Sequence, residues 1–222
     1  THTEPIYTGL PYPIKTTIAN IGDATAQNIL VRLYDNSNLI GTQTITNLAI
    51  GATTTLNFDW TPPFGTTGIH TLQTIIDPLN TINEHNETNN DITTTTTVTG
   101  RPDLTPTTIT TPTEPIYTGL PYPINVTITN NGDAAATNIL VELFDGTNSL
   151  GTKTITNLAI GANTILTWTW TPTFGATGLH TLKAIIDPLN TINEHNETNN
   201  QKTTTTTVTG RPDLTPTTIT TP

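Results

Sequence analysis

Residues 101–112 read RPDLTPTTITTP, and the same letters return at 211–222. Thr and Ile fill most of the stretch after Asp103. β-Branched residues are stiff at χ1, which suits a pleated strand and disfavours a helix. Pro106 interrupts the run and cannot donate to a ladder, so the strand belongs at the edge of a sheet. The stretch therefore predicts an edge strand, here called A, over 103–110, and a second copy of it at the far end of the chain.

Working outward from it, residues 3–102 align without gaps on 113–212 at a constant offset of 110, and most aligned positions are identical. A period of this size is that of an immunoglobulin-like sandwich rather than a short solenoid unit. In the second copy PINVTITN (123–130) alternates Ile124, Val126 and Ile128 to one side and predicts strand B. NILVELFD (138–145), LGTKTITNL (150–158), TILTWTWT (164–171), LHTLKAIID (179–187) and KTTTTTVT (202–209) follow as further strands, separated by Gly, Pro and Asn turns. Leu166, Trp168 and Trp170 share one face, as Phe58 and Trp60 do in the first copy, and read as core rather than as a sugar-stacking platform. No segment has a helical period. The expected fold is all-β: two tandem seven-stranded Ig-like β-sandwiches, the first lacking its own A strand.

The frame of the repeat is circularly shifted. Residues 1–100 form a first sandwich with no A strand before it, residues 101–210 form a second with its strand, and 211–222 form an A strand with no sandwich after it. Two explanations fit. The closing strand, carried by Asp213, Leu214, Thr215, Thr217 and Ile219, completes the open domain of another copy by β-strand addition, or the chain is an excerpt in which the same strand joins consecutive domains covalently. Either gives a string of similar beads whose partners are copies of the chain itself. An open sandwich leaves a sheet edge unpaired.

The pattern W-T-P, G, H-T-L, I-I-D-P and I-N-E-H-N-E-T-N-N resembles the CARDB family, the cell-adhesion-related domains of bacterial and archaeal surface proteins. It is carried by Trp60–Pro62, Gly68, Asp77, Asn80, Ile82, Glu84, Glu87, Asn89 and Asn90, and again by Trp170–Pro172, Gly178, Asp187, Asn190, Ile192, Glu194, Glu197, Asn199 and Asn200. The resemblance covers nearly the whole chain twice. It implies an Ig/fibronectin-like sandwich, an extracellular or cell-surface location and no enzyme activity.

Its most specific part, DPLNTINEHNETNN, is identical at 77–90 and 187–200. Asp77, Asn80, Glu84, Glu87, Asn89 and Asn90, and likewise Asp187, Asn190, Glu194, Glu197, Asn199 and Asn200, offer the hard oxygens that calcium takes. The alternative is a loop closed by its own side-chain hydrogen bonds, a habit of Asn and Asp. His85 and His195 within it are expected to face solvent, since one His among hard oxygens makes a poor zinc site. Asn86, Asn125 and Asn196 head N-x-[ST] sequons and are candidate glycan acceptors.

Composition narrows the function. The net charge is −10 with only 7 Lys and Arg, which argues against a nucleic-acid partner. No apolar run is long enough for a membrane-spanning helix. Cysteine and methionine are absent, so neither disulfides nor thiol chemistry contribute. About a quarter of the residues are Thr. The expected function is a structural subunit of an extracellular filament, sheath or stalk. The alternative is a cell-surface adhesin or carbohydrate-binding repeat.

Overall fold

A computed structural model describes residues 4–113 and 115–221. Pro222, the last residue of the closing segment, lies outside them. The chain divides into two compact units, Thr1–Gly100 and Arg101–Pro222. Every regular element among the described residues is a strand.

In unit 1 the strands are β1 (Ile6–Tyr7), β2 (Tyr12–Ala19), β3 (Ala26–Asp35), β4 (Asn38–Leu48), β5 (Thr53–Trp60), β6 (Gly68–Ile76) and β7 (Asp91–Thr99). They form a five-stranded sheet in the order β1-β7-β6-β3-β4 facing a two-stranded sheet, β2-β5. Unit 2 has β8 (Leu104–Thr110), β9 (Ile116–Tyr117), β10 (Tyr122–Asn130), β11 (Ala136–Asp145), β12 (Asn148–Leu158), β13 (Asn163–Trp170), β14 (Gly178–Ile186) and β15 (Gln201–Thr209). Its sheets are β12-β11-β14-β15-β9 and β13-β10-β8. Both units are thus Ig-like sandwiches, and they differ by one strand. β8, the expected strand A, pairs with β10 in unit 2; the corresponding strand of unit 1, β2, pairs only with β5 among the described residues.

The A region divides between the two sheets. After β8 the chain crosses over, and β9 lies parallel to β15, with Ile116 opposite Val208. β1 does the same in unit 1, with Ile6 opposite Val98. Two residues beside a proline are too few to show a periodicity, so the sequence predicted neither. Among its described residues unit 1 shows the short second piece of strand A and no counterpart of β8. Pro106 sits on an edge strand, as predicted, and the register of β8 on β10 shifts next to it between Thr127 and Ile128.

The consequence of the extra strand is visible in the core. In unit 2 Leu104, Ile124, Val126 and Ile128 are wholly buried and belong to one continuous apolar cluster with Trp168 and Trp170. In unit 1 the buried apolar residues fall into two clusters, one around Ile18, Val31 and Phe58, the other around Ile6, Trp60 and Val98. The Thr-rich β7 and β15 expose most of their hydroxyls, and their outer edges are covered only over the two residues that meet β1 and β9.

Each sandwich also holds a polar network, buried in unit 1 and part-buried in unit 2. Asp35 accepts a hydrogen bond from Trp60 Nε1 at 3.2 Å and contacts His70 Nδ1 at 2.8 Å, while His70 Nε2 faces the Thr66 carbonyl at 2.6 Å. Asp145 and His180 repeat the pair, with Nε2 against Ala176 O. His70 and His180 are thus satisfied structural residues. Removing one member strands the others away from water. Asp35→Ala is expected to destabilise unit 1 by about 3 kcal/mol, read as faster hydrogen exchange in β3 and β6, with the exchange of unit 2 unchanged.

Candidate functional site: the loop and the strand it grips

The loop between β14 and β15 is built from its first residue. Asp187 has a positive φ of 42° and its N–H bonds Leu140 O at 2.9 Å. Its carboxylate then accepts from Thr191 Oγ1 at 2.9 Å and the Ile192 N–H at 2.7 Å, closing the turn on itself. Asp77 does the same with Thr81 and Ile82. Burial opposes ionisation of Asp77, but the Ile82 N–H and the Thr81 hydroxyl outweigh it and hold the carboxyl below its ordinary range. Further along, the N–H of Glu194 donates to Glu197 Oε1, and Asn200 Nδ2 donates to Glu194 Oε1. Glu84, Glu87 and Asn90 repeat this geometry.

These bonds bear on the calcium expectation. The carboxylates of the loop are directed at donors of the same chain, and among the described residues no three acidic or histidine side chains gather as a metal-holding group. The sequons are likewise engaged: Asn86 Oδ1 and Asn196 Oδ1 each accept from the N–H and hydroxyl of the Thr two residues on, and Asn125 Oδ1, on β10, accepts from Thr167.

In unit 2 the loop does something that its own sequence did not announce. With the β10–β11 turn, Asn130–Asp133, it grips the residues that lead into β8. The Arg101 N–H donates to Asp133 Oδ1 at 2.7 Å, and Arg101 O accepts from the Asp133 N–H at 3.0 Å. Pro102, with no N–H to satisfy, offers its carbonyl to the His195 N–H at 2.9 Å. The Asp103 N–H bonds Asn130 Oδ1 at 3.1 Å and its carbonyl accepts from the Asn131 N–H at 2.7 Å. The Leu104 N–H closes the series on Glu194 Oε2 at 2.5 Å. Every backbone donor from Arg101 through Leu104 and every backbone acceptor through Asp103 has a partner in the turn or the loop.

The side chains add identity to this frame. Arg101 Nη1 donates to the Glu194 carbonyl at 2.9 Å and Asn193 Oδ1 at 3.4 Å, and its Nη2 meets His195 Nδ1 at 3.3 Å. Asp103 Oδ1 accepts from Asn199 Nδ2 at 2.7 Å. Leu104 enters the core at 0% exposure. A Cβ at Gly132 would overlap the backbone of Arg101, Pro102 and Asp103, so only glycine allows the approach. His195 is not solvent-facing, contrary to the sequence reading: its side chain is 13% exposed, with Nε2 on Asp133 at 2.9 Å. The docked segment covers it.

Unit 1 has the same pieces without the segment. Asn20 Oδ1 accepts from the Gly22 N–H, as Asn130 Oδ1 does from Gly132, and His85 Nε2 meets Asp23 at 2.9 Å. His85 and Asp23 are uncovered, at 76% and 85% side-chain exposure. A Cβ at Gly22 would meet no backbone within 4 Å. Among the described residues the predicted closing strand forms no strand: residues 211–221 are irregular and exposed, Leu214 at 90% and Ile219 at 93%, and Arg211 reaches Thr118 O at 3.4 Å.

Sealing by Leu104 changes the chemistry of Glu194. Desolvation, aided by the nearby Glu197 and Asp187 and opposed by the Leu104 and Asn200 donors, pushes its carboxyl up to about 7. Glu84, part-exposed, is raised in the same direction. A raised folded-state pKa stabilises below the unfolded value and loses that contribution as pH climbs through the folded one. Unit 2 is therefore expected to lose stability between about pH 4.5 and 7 and to level off above, and Glu194→Gln to flatten that slope in thermal melts. Because the Asp187 and Glu194 carboxylates are met by donors of their own chain, EDTA is expected to leave both melting temperatures unchanged; a fall reversed by calcium would show the opposite.

Comparison with known proteins places these features. No curated protein sequence matches the chain. Among solved structures, the CARDB domain of a Pyrococcus furiosus protein, crystallised in complex with di-metal ions, is 28% identical over 49% of this chain and 90% of its own, with a TM-score of 0.45. A domain of a Methanosarcina acetivorans protein named "putative cell surface protein" is 29% identical over 49% of this chain and 93% of its own, with a TM-score of 0.44. The CARDB family model matches residues 1–94 and again 101–204, and the chain belongs to the CARDB family.

Proposed function

We propose that the chain is a non-enzymatic structural repeat protein of the cell exterior, a segment of a filament, sheath or stalk whose sandwiches are strung head to tail by their A strands. One observation carries this reading. RPDLTPTTIT at 101–110 is bound along its length by unit 2, while the same ten letters at 211–220 lie exposed and the matching receptor of unit 1 is uncovered. Donation of 213–222 by a separate molecule and covalent continuation of a longer chain use the same contact.

Supporting features point the same way. Membership in a family of cell-adhesion-related domains fits an exterior location. The absence of Cys and Met removes the side chains most readily oxidised there. Among the described residues His70, His85, His180 and His195 each meet an aspartate, and the two serines stand in hairpins with no histidine partner, which offers no nucleophile–base pair there. The tryptophans do not supply a sugar-stacking platform, since Trp60, Trp168 and Trp170 are all at most 4% exposed.

The full chain is expected to form linear strings of two-unit beads at high concentration, visible by electron microscopy, and a chain lacking 213–222 is expected to remain monomeric. Full and shortened chains that are both monomeric at every concentration would refute assembly between separate molecules.

A further inference from the structure

The three N-x-[ST] sequons stand in two different settings. Asn86 and Asn196 lie in the identical loops, on exposed chain outside any strand, whereas Asn125 lies within β10. In each loop the Asn closes a small turn. Asn86 Oδ1 accepts from the Thr88 N–H at 3.0 Å and from the Thr88 hydroxyl at 2.7 Å, and Asn196 and Thr198 repeat both bonds at the same distances. A side-chain amide is planar and carries its acceptor and its donors at opposite ends. Holding Oδ1 in the turn therefore sends Nδ2 out of it. Neither Nδ2 meets a partner among the described residues, and both asparagines are exposed. An amide nitrogen, its own carbonyl and the hydroxyl two residues on are thus gathered at a point that solvent reaches.

Asn125 has the same pattern of letters without that geometry. Its backbone is paired on both sides, opposite Thr167 of β13 and Thr110 of β8. Its Oδ1 accepts from Thr167, while the Thr127 hydroxyl meets that of Thr108 at 2.9 Å. Residues two apart on a strand stand roughly 6.7 Å apart, and here each turns to a neighbouring strand rather than to the other. An enzyme that reads Asn and Thr together must bend the acceptor chain around both. The loops are already bent there; β10 would first have to leave two ladders.

We propose that Asn86 and Asn196 are N-glycosylation sites and that Asn125 is not. The donor is a sugar carried on an isoprenoid phosphate or diphosphate, and the catalyst is a sequon-reading transferase of the cell exterior. Nδ2 attacks C1 of the sugar. The N–C1 bond forms, the bond from C1 to the phosphate oxygen breaks with its electron pair leaving on the phosphate, and one Nδ2 proton passes to a base of the transferase. The product keeps Oδ1 and one N–H, so the bonds from Thr88 and Thr198 survive and the loops need not rearrange. In unit 2 the docked segment covers His195 yet leaves Asn196 exposed, so seating the segment does not close the site. A bulky, hydrated group on each unit adds solvation to a chain with only 11% charged residues. The proposal rests on the exterior location proposed above and is independent of how the units are strung.

The test is mass spectrometry of the full chain purified from the cells that make it, after the envelope is separated from the cytoplasm, with fragmentation that keeps a sugar on its residue. Sugar is expected on Asn86 and Asn196, with Asn125 bare. Asn86→Gln and Asn196→Gln are each expected to lower the intact mass by one glycan, and Asn125→Gln to leave the sugar content unchanged. Thr88→Ala is expected to remove the sugar at 86 and Thr88→Ser to keep it, with hydrogen exchange reporting that both variants stay folded. An envelope chain with Asn86 and Asn196 bare, or with Asn125 modified as often as the loops, would overturn the assignment and leave the exterior reading standing. A chain confined to the cytoplasm would overturn the exterior reading and the proposal with it.

Discussion

The structure turns on a four-residue stretch of extended chain, Arg101–Leu104, held between the Asn130–Asp133 turn and the Asp187–Asn200 loop. Its backbone has no regular ladder there, and buried amides without partners are costly. The loop and turn provide those partners one at a time, ending with a Glu194 carboxylate on the Leu104 N–H. Once Leu104 is fixed, β8 can run along β10 and its apolar residues can close the core. The burial of that leucine alone contributes on the order of 2 kcal/mol. The loop turns its Asn193, Glu194, His195 and Asn199 to this role. A loop that merely turned the chain would accept many sequences, whereas one that matches six backbone groups and three side chains has few substitutes.

The two units act as a comparison within one molecule. With the segment present, Ile124, Val126 and Ile128 are wholly buried, Asp133 is covered and Glu194 is sealed. Without it, Ile14 is half-buried, the apolar residues split into two clusters and Asp23 faces water. The polar receptor is nevertheless the same shape in both, because Asn20 and Asn130 are fixed by carbonyls of their own unit and His85 and His195 by their own aspartates. Such preorganisation lowers the ordering cost of docking.

Much of this was legible in the sequence, and the part that was not has a common cause. Ile124, Val126 and Ile128 alternate, and Trp168 and Trp170 sit two apart, so the strands and their buried faces could be read locally. Pro106 marked an edge, and the missing A strand followed from the offset of the repeat. The grip of the loop could not be read this way. Glu194 and Leu104 stand 90 positions apart, and Asp35 and His70 stand 35 apart. Short-range patterning says nothing about such pairs. Oxygen-rich loops suggest cations on inventory alone, and only geometry shows which of those oxygens meet backbone N–H groups, Thr hydroxyls and Asn amides and which, such as Asn199 Oδ1 and Asn200 Oδ1, do not. A glycine flanked by Asn and Asp, as at 132, reads as an ordinary turn until the segment that presses on it is in view.

The polarity of the sandwich completes the logic. In unit 2 the receptor loop ends at Gln201, where β15 begins, whereas the outgoing RPDL segment starts just after Thr209, where β15 ends. Eight steps of extended chain separate those points by roughly 26 Å. Unit 2 therefore presents its receptor at one end of its last strand and its outgoing segment at the other, and its receptor is filled by the segment that precedes it. On the proposed head-to-tail reading such contacts would be heterologous: the surface that gives differs from the surface that takes, and repetition would extend a string rather than close a pair. A low charge density and a hydroxyl-rich exterior suit such a string, because neighbouring beads neither repel strongly nor offer broad apolar faces through which they could bind sideways.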